Sequence, residues 1–318
     1  VFPAAIDKYL YVAIRKRNDS LINYNDLFFD GKFTFDINDN FVYKKENDYA
    51  NFLNGILSII KRHGYVFESG FDVLIASNVP SAGGISSSSA LECGFAWAVN
   101  QTFEFNISRK EIALMGQQSE HEFMNVNCGI MDQFASAMGK KSHAVLLDCA
   151  SLEYEYVPLE LGEYCLVVAN CNKPHNLVES KYNVRRQEVE TALKLIQKVK
   201  PISQLAELTP EEFLEVKYLL SGVVAKRAEH VVMECARVQA AAVALKSGDL
   251  ETLGRLLNES HFSLRDLYEV TGEELDTLSA LARKEADCLG SRMIGAGFGG
   301  CTISIVEKSA AADFVAYV

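Results

Sequence analysis

The run FDVLIASNVPSAGGISSSSALECGFAWAV, residues 71–99, sets the tightest constraint on the fold. An apolar strand-like segment passes into an apolar helix-like one through two glycines and four serines, with almost no spare residues. Composition alone leaves a flexible linker open. The flanks favour a built loop, because a linker would separate domains and this stretch joins a strand directly to a helix. Gly83 and Gly84 allow a tight turn with backbone close to a ligand. The serines fall in the first helical turn, where unpaired N–H groups and the positive dipole end attract anions. The stretch Gly83 to Ala90, with Ser86, Ser87, Ser88 and Ser89, therefore reads as a phosphate cradle. It is not a Walker loop, since no Gly-Lys-Ser/Thr follows Gly84.

The 318 residues are 49% hydrophobic and 23% charged, which suits one large or two modest domains. The net charge of −11 argues against a nucleic-acid partner, whose phosphates the overall field would repel. No window approaches the roughly 20 apolar residues that span a bilayer, and the N-terminus lacks signal-peptide order. The expectation is a cytoplasmic protein with no membrane partner. Eight scattered cysteines without C-x-x-C spacing read as reduced core thiols. The chain opens without methionine inside a strand-like run and stops within a helical pattern, which reads as a cut at both ends.

Residues 1–45 read as antiparallel strands and hairpins, followed by a helix from Asp48 to His63 that Gly64 stops. Ser108 with Glu111 has the spacing of a capping box at the start of the next helix. Beyond "YCLVVAN" the texture shifts to long helices and a closing strand, "CTISIV". The pattern is α+β, with a domain boundary near residue 160.

Three further motifs carry chemistry. "GAGFGG", Gly295 to Gly300, matches the dinucleotide fingerprint in form, but a strand follows it where the fingerprint needs a helix. It reads either as a tight hairpin or as a second loop packing its backbone against the first loop or its ligand. "CGIMDQFASAMG" sets Asp132 among Ile130, Met131 and Phe134, where an unpaired carboxylate is costly unless it meets a cation, a substrate hydroxyl or a metal. Glu120, in "QQSEHEFM", is either an exposed helix charge or an oxygen ligand for Mg²⁺. In "KPHNLVESKYNVRRQ", Tyr182 and Arg186 lie one helical turn apart with His175 upstream, either as plain helix surface or as part of a sugar or nucleotide site. No Ser/His/Asp set and no H-E-x-x-H motif is present.

Taken together, "NVPSAGGISSSSALE", "EHEFMNVNCGIMDQFASAMG", "PHNLVESKYNVRRQEVE", "AEHVVMECARVQAAAVAL" and "GSRMIGAGFGGCT" resemble the galactokinase family of the GHMP kinase superfamily. The serine loop is similar to P-x-x-x-G-L-S-S-S-A, with Ile85 for the usual Leu and Ser89 for the first Ala. Asn125 stands for a usual Gly, and Ala296 for another. The resemblance implies a two-lobed GHMP-kinase-like α+β fold. Residues 1–160 would form a ribosomal-protein-S5-domain-2-like lobe with the phosphate loop, and residues 161–318 a ferredoxin-like lobe.

The same resemblance implies ATP-dependent phosphorylation of galactose at the C1 hydroxyl, with ATP and Mg²⁺ required. Asp132 would be the catalytic base, Ser88 and Glu120 the magnesium ligands, and Gly129 and Tyr182 residues touching galactose. Gly83 to Ala90 would hold the ATP phosphates, and Gly295, Gly297, Gly299 and Gly300 would close the site. The family's signature with Gly-Glu-His-Thr-Asp and an arginine paired with the catalytic aspartate would precede Val1. Galactose and Mg-ATP are the expected partners of a monomer or weak homodimer. An N-acetylgalactosamine or other sugar-1-kinase, and a non-catalytic galactose and ATP sensor, remain as alternatives.

Overall fold

A computed structural model describes residues 1–28, 31–80, 83–173 and 178–318. The chain divides into two compact units. The N-terminal unit comprises Pro3–Ser81 and Ser86–Tyr154, and the C-terminal unit comprises Val1–Phe2, Ala82–Ile85 and Glu155–Val318.

The N-terminal unit is built on strands β1 (Leu10–Lys16), β2 (Leu21–Asp26), β3 (Lys32–Asp36) and β4 (Phe71–Ser77). Their order in the sheet is β1-β4-β2-β3. The β2–β3 hairpin is antiparallel as its alternation implies, but β1 and β2 do not pair. Strand β4 inserts between them, antiparallel to β1 and parallel to β2. Alternate residues Phe71, Val73 and Ile75 are buried, the period-two signature of a strand with one face on a core.

Helices α1 (Ala50–Arg62), α2 (Ser87–Phe103), α3 (Arg109–Glu122) and α4 (Met131–Met138) cover that face, and β5 (His143–Leu147) follows. Helix α1 stops where Gly64 takes φ +88°, with Lys61 and Arg62 favourably placed at the negative end of the dipole. Helix α3 begins with the capping box read from Ser108 and Glu111. Helix α2 packs on β1, α1, α3 and α4, so it is central, and its buried Phe95 meets Tyr24 edge-on at 6.0 Å.

Strand β6 (Tyr154–Pro158) leads into the C-terminal unit, whose sheet has the order β7-β9-β8. Its strands are β7 (Tyr164–Asn170), β8 (Cys288–Met293) and β9 (Cys301–Glu307), all antiparallel. Helices α5 (Val178–Ile196), α6 (Pro210–Val216), α7 (Gly222–Ser247), α8 (Leu250–Ser263), α9 (Glu273–Ala282) and α10 (Ala311–Tyr317) complete the unit. A π-helical turn, Leu264–Tyr268, extends α8. Helix α8 lies directly on β8: a Cβ on Gly290 would stand 2.0 Å from the Gly254 carbonyl oxygen, so both positions need glycine. Strand β8 and helices α6 and α9 escape a reading of pattern alone, and β8 turns "GAGFGG" into the connection of a β8–β9 hairpin.

No helix among the described residues is long and apolar enough to cross a membrane. None of the eight cysteines is in a disulfide.

Candidate active site

In the N-terminal unit, α2 starts at Ser87 and Ser86 is its N-cap residue. Ser86 adopts φ +66°, the left-handed region that a non-glycine residue enters at some cost. Its side chain does not cap the helix. The hydroxyl instead hydrogen-bonds the Asp132 carboxylate. The first intrahelical bond runs from the Ala90 N–H to the Ser86 carbonyl, so the N–H groups of Ser87, Ser88 and Ser89 precede the ladder. Ser86, Ser87, Ser88 and Ala90 are half-buried, and Ser89 is buried. A left-handed turn, uncapped N–H groups and the dipole thus coincide at one helix end.

Asp132 lies in the first turn of α4, between the buried Ile130 and Phe134. Burial raises its carboxyl pKa above the ordinary value, and the Ser86 hydroxyl partly offsets that by stabilising the charged form. A carboxylate kept from full solvation and steered by one hydroxyl suits a general base.

The preceding loop is tied by Cys128, whose carbonyl accepts from Gln117 and lies 2.7 Å from His121 Nε2. Asn125 takes φ +61°, the left-handed conformation expected of Asn in a glycine position. Gly129 is exposed, with open space where a Cβ would point. Glu120 is buried near the end of α3 and is not the exposed helix charge that its position alone would allow.

Ser86, Asp132 and the α2 N-terminus are therefore assembled within this unit. In the same unit, unremarked by pattern, Glu92 on α2 and Ser119 on α3 are both fully buried, with Glu120 close enough for its charge to be felt at Glu92. A hard divalent cation fits this setting, because buried carboxylate and hydroxyl oxygens are the donors that Mg²⁺ takes. Among the described residues no three His, Cys, Asp or Glu side chains form a metal cage by themselves.

In the C-terminal unit, Gly83 and Gly84 lie against the β8–β9 connection. The Cys301 thiol donates to the Gly83 carbonyl at 2.8 Å, and a Cβ on Gly295 would stand 2.7 Å from the Gly84 oxygen. Gly295, Gly297, Gly299 and Gly300 all have positive φ. Phe298 N–H donates to the Val270 carbonyl at 2.7 Å, which pins the tip of the connection. Both sequence alternatives for "GAGFGG" therefore hold together: it is a hairpin connection, and it packs its backbone on the glycine loop.

Tyr182, on α5, is half-buried near Tyr268. The neighbouring Lys181 ammonium lies 4.9 Å from the Phe298 ring centroid, so α5 borders the same connection. Arg186 pairs with Glu190 one turn on, which is helix surface. Arg185 is the residue that turns inward, donating to the Tyr268 carbonyl at 2.7 Å and the Glu269 carbonyl at 3.1 Å. His175 lies outside the described residues.

Residues 51–140 match the GHMP kinases N terminal domain family, and residues 241–318 match GHMP kinases C terminal. The fold and the serine-headed helix are thus those of a GHMP kinase. The match extends to finer kin. Galactokinase of Clostridium beijerinckii is 46% identical over 318 residues, covering 99% of this chain and 82% of that protein. The chain belongs to the galactokinase family. A crystal structure of Lactococcus lactis galactokinase complexed with galactose superposes with TM-score 0.94 at 40% identity, covering 98% of this chain and 81% of that one. Methanococcus jannaschii mevalonate kinase, at 18% identity and TM-score 0.67 over 99% of this chain and 86% of its own, shares the fold.

Proposed function

We propose that this protein transfers the γ-phosphoryl group of ATP to the C1 hydroxyl of α-D-galactose, giving galactose 1-phosphate and ADP. One observation carries the reading: a buried, pKa-raised Asp132 joined by Ser86 to the uncapped N-terminus of α2. Family membership at 46% identity makes galactose the first sugar to test.

Asp132 accepts or orients the C1 hydroxyl proton, the sugar oxygen forms the new bond to phosphorus, and the bond from phosphorus to the ADP oxygen breaks. The amides at the head of α2 and the backbone of Gly83 and Gly84 take up phosphate charge. Gly129 and Tyr182 touch the sugar, and Gly295 to Gly300 back the glycine loop. Ser88 and Glu120 would hold Mg²⁺, which when bound neutralises charge on the β- and γ-phosphates. Eight cysteines outside any disulfide support a reducing compartment, and we place the enzyme in the cytoplasm as a monomer or weak homodimer.

The test is ADP release with Mg-ATP and galactose, N-acetylgalactosamine or glucose, on the chain and on Asp132→Asn. Turnover with galactose that Asp132→Asn loses supports the proposal. Preference for N-acetylgalactosamine, or an Asp132→Asn variant as active as the parent, sinks it.

A further inference from the structure

Glu92 is a buried carboxylate that the chemistry above does not use. It lies on α2 one helical turn after Ser88, so both side chains leave the same face of the helix. Its relative exposure is 0%, no hydrogen bond of ordinary geometry reaches either carboxyl oxygen, and the Ser119 hydroxyl is the group that favours its charged form. Around it the buried face of α2 carries Leu91, Cys93, Phe95, Ala96 and Val99, with Ser89 and Asn100 as its other buried polar residues, and Asn100 bonds the Ile107 backbone. Packing gives no reason for an acid at this point, and a methionine would fill the volume without a buried carboxyl.

The surroundings point to a ligand. Helix α3 presents Ser119, fully buried with its hydroxyl beside the Glu92 carboxyl, and next to it Glu120, whose charge is felt at Glu92. Helix α4 presents Gln133, 1% exposed, with its side-chain carbonyl oxygen also unpartnered. Glu92, Glu120 and Asp132 all act on the Cys128 thiol, toward which the Gln133 amide donates at 3.7 Å. Carboxyl groups of α2, α3 and α4 thus lie within electrostatic reach of one thiol, beside the unpartnered Gln133 oxygen. Burial and the Glu120 charge hold the Glu92 carboxyl well above the usual carboxylate range, so both acids carry charge together only when a positive species lies with them. The Cys128 thiol, pushed up to about 12 chiefly by burial, stays protonated and offers no thiolate to a soft metal. What remains is an all-oxygen set suited to a hard divalent cation.

We propose that Glu92 is a positioning carboxylate of the divalent-cation site, holding the cation's water shell beneath Ser88 and Glu120. Mg²⁺ keeps several of its waters, and each is a strong donor when bound to the ion. Such waters donate to the Glu92 carboxylate, with the unpartnered Gln133 carbonyl oxygen as a further acceptor. Glu92 then acts through those waters and does not ligate the ion itself. The inference rests on the reading of Ser88 and Glu120 as the magnesium ligands and deepens it.

The probe is Mn²⁺, followed by its paramagnetic resonance signal while the full chain is titrated in the presence of ADP. The parent binds Mn²⁺, Glu92→Gln weakens binding about tenfold or more, and Glu120→Gln weakens it further. Unchanged Mn²⁺ affinity in Glu92→Gln, or no Mn²⁺ binding by the parent with ADP present, overturns the proposal. Without the cation burial keeps Glu92 a neutral acid, and glutamine preserves its shape and polarity, so cation-free Glu92→Gln melts close to the parent's temperature and loses part of the Mg²⁺-induced rise.

Should Glu92→Gln fail to fold, crystals of the parent soaked in Mn²⁺ decide the matter. An anomalous peak about 4 Å from the Glu92 carboxylate with a shared water, the reach of a water-bridged ion, supports the proposal. A peak remote from Glu92 overturns it. The galactose assay keeps the two readings apart. Galactose turnover with unchanged Mn²⁺ affinity in Glu92→Gln removes this inference alone. Mn²⁺ held through Glu92 without galactose turnover removes the proposed reaction alone.

Discussion

Gly295 abuts the Gly84 carbonyl so closely that a Cβ on it would stand 2.7 Å from that oxygen, and Gly295 itself holds φ +75°. An alanine there meets two obstacles, a strained backbone and a backbone neighbour that cannot swing aside. Gly84 is the residue that gives way, since it sits in the loop and the β8–β9 connection is pinned at Phe298. Gly295→Ala is therefore expected to raise the KM for ATP about tenfold, roughly 1.4 kcal/mol of binding, with little change in the KM for galactose. Steady-state kinetics with each substrate varied in turn checks this, and an unaltered KM for ATP would contradict it.

Ser86 and Asp132 give a pH prediction. A base must be ionised to work, so kcat/KM falls on the acid side as Asp132 takes up a proton. Burial moves that limb above the ordinary aspartate value, and the Ser86 hydrogen bond pulls it back. Ser86→Ala removes the pull, so the acid limb shifts to higher pH. Asp132→Asn has no such limb to move and loses about 10²- to 10⁴-fold in kcat. A pH profile of Ser86→Ala that overlays the parent's would contradict the assignment.

Arg227, 1% exposed on α7, pairs with Glu188 on α5 at 2.8 Å and with Glu269 at 2.8 Å, and donates to the Leu267 carbonyl. Arg185 shares Glu188 at 3.2 Å and reaches the Glu269 carbonyl. The network ties the helix carrying Tyr182 to the turn carrying Tyr268. Arg227→Ala empties a fully buried site, drops the Leu267 contact and leaves Glu188 to Arg185 and Glu269 to Lys226, and it is expected to destabilise the C-terminal unit by about 3 kcal/mol. Arg186→Ala opens the half-exposed pair with Glu190, worth under about 0.5 kcal/mol, and is expected to cost far less than Arg227→Ala. Urea denaturation of the two variants separates them, and equal losses would refute the distinction.

That contrast also shows where local pattern runs out. Arg185 and Arg186 are adjacent, and spacing from Tyr182 favours Arg186. Only the packing of α5 against the Leu264–Tyr268 turn selects Arg185. The strand-loop-helix junction and the Ser108 capping box were legible, because each is written in a few consecutive residues. The place of β4 between β1 and β2 was not, since strand order depends on partners distant in sequence. Asp132 stood out through its apolar neighbours. Glu92, in "ALECG", carries no local mark, and its burial exists only once α3 has packed on α2.

His230 provides a prediction about stability. It lies on α7, 6% exposed, with Nδ1 at 2.8 Å from the Ser263 hydroxyl and its ring stacked on Tyr268 at 4.4 Å. Burial lowers its pKa to about 4; Glu234 opposes the shift, and Arg237, Arg292 and Arg227 add to it. In the unfolded chain a histidine titrates near about 6.5. The neutral ring is thus favoured by folding, so the contribution is fully present above pH ~6.5 and is lost as the pH falls through about 4. A shift of this size corresponds to about 3 kcal/mol. His261, held neutral mainly by burial, adds a loss of the same sign. Glu234 is held below the usual carboxylate value by Arg292, Arg237 and Ser260 despite its burial, and it contributes at still lower pH. His230→Gln keeps a polar partner for Ser263 but cannot take up the proton. Its unfolding free energy should therefore decline less steeply than the parent's between pH ~6.5 and ~4, while the two curves run parallel above that window. Urea titrations at half-unit pH steps measure both slopes, and identical slopes would show that His230 is not held neutral by the fold.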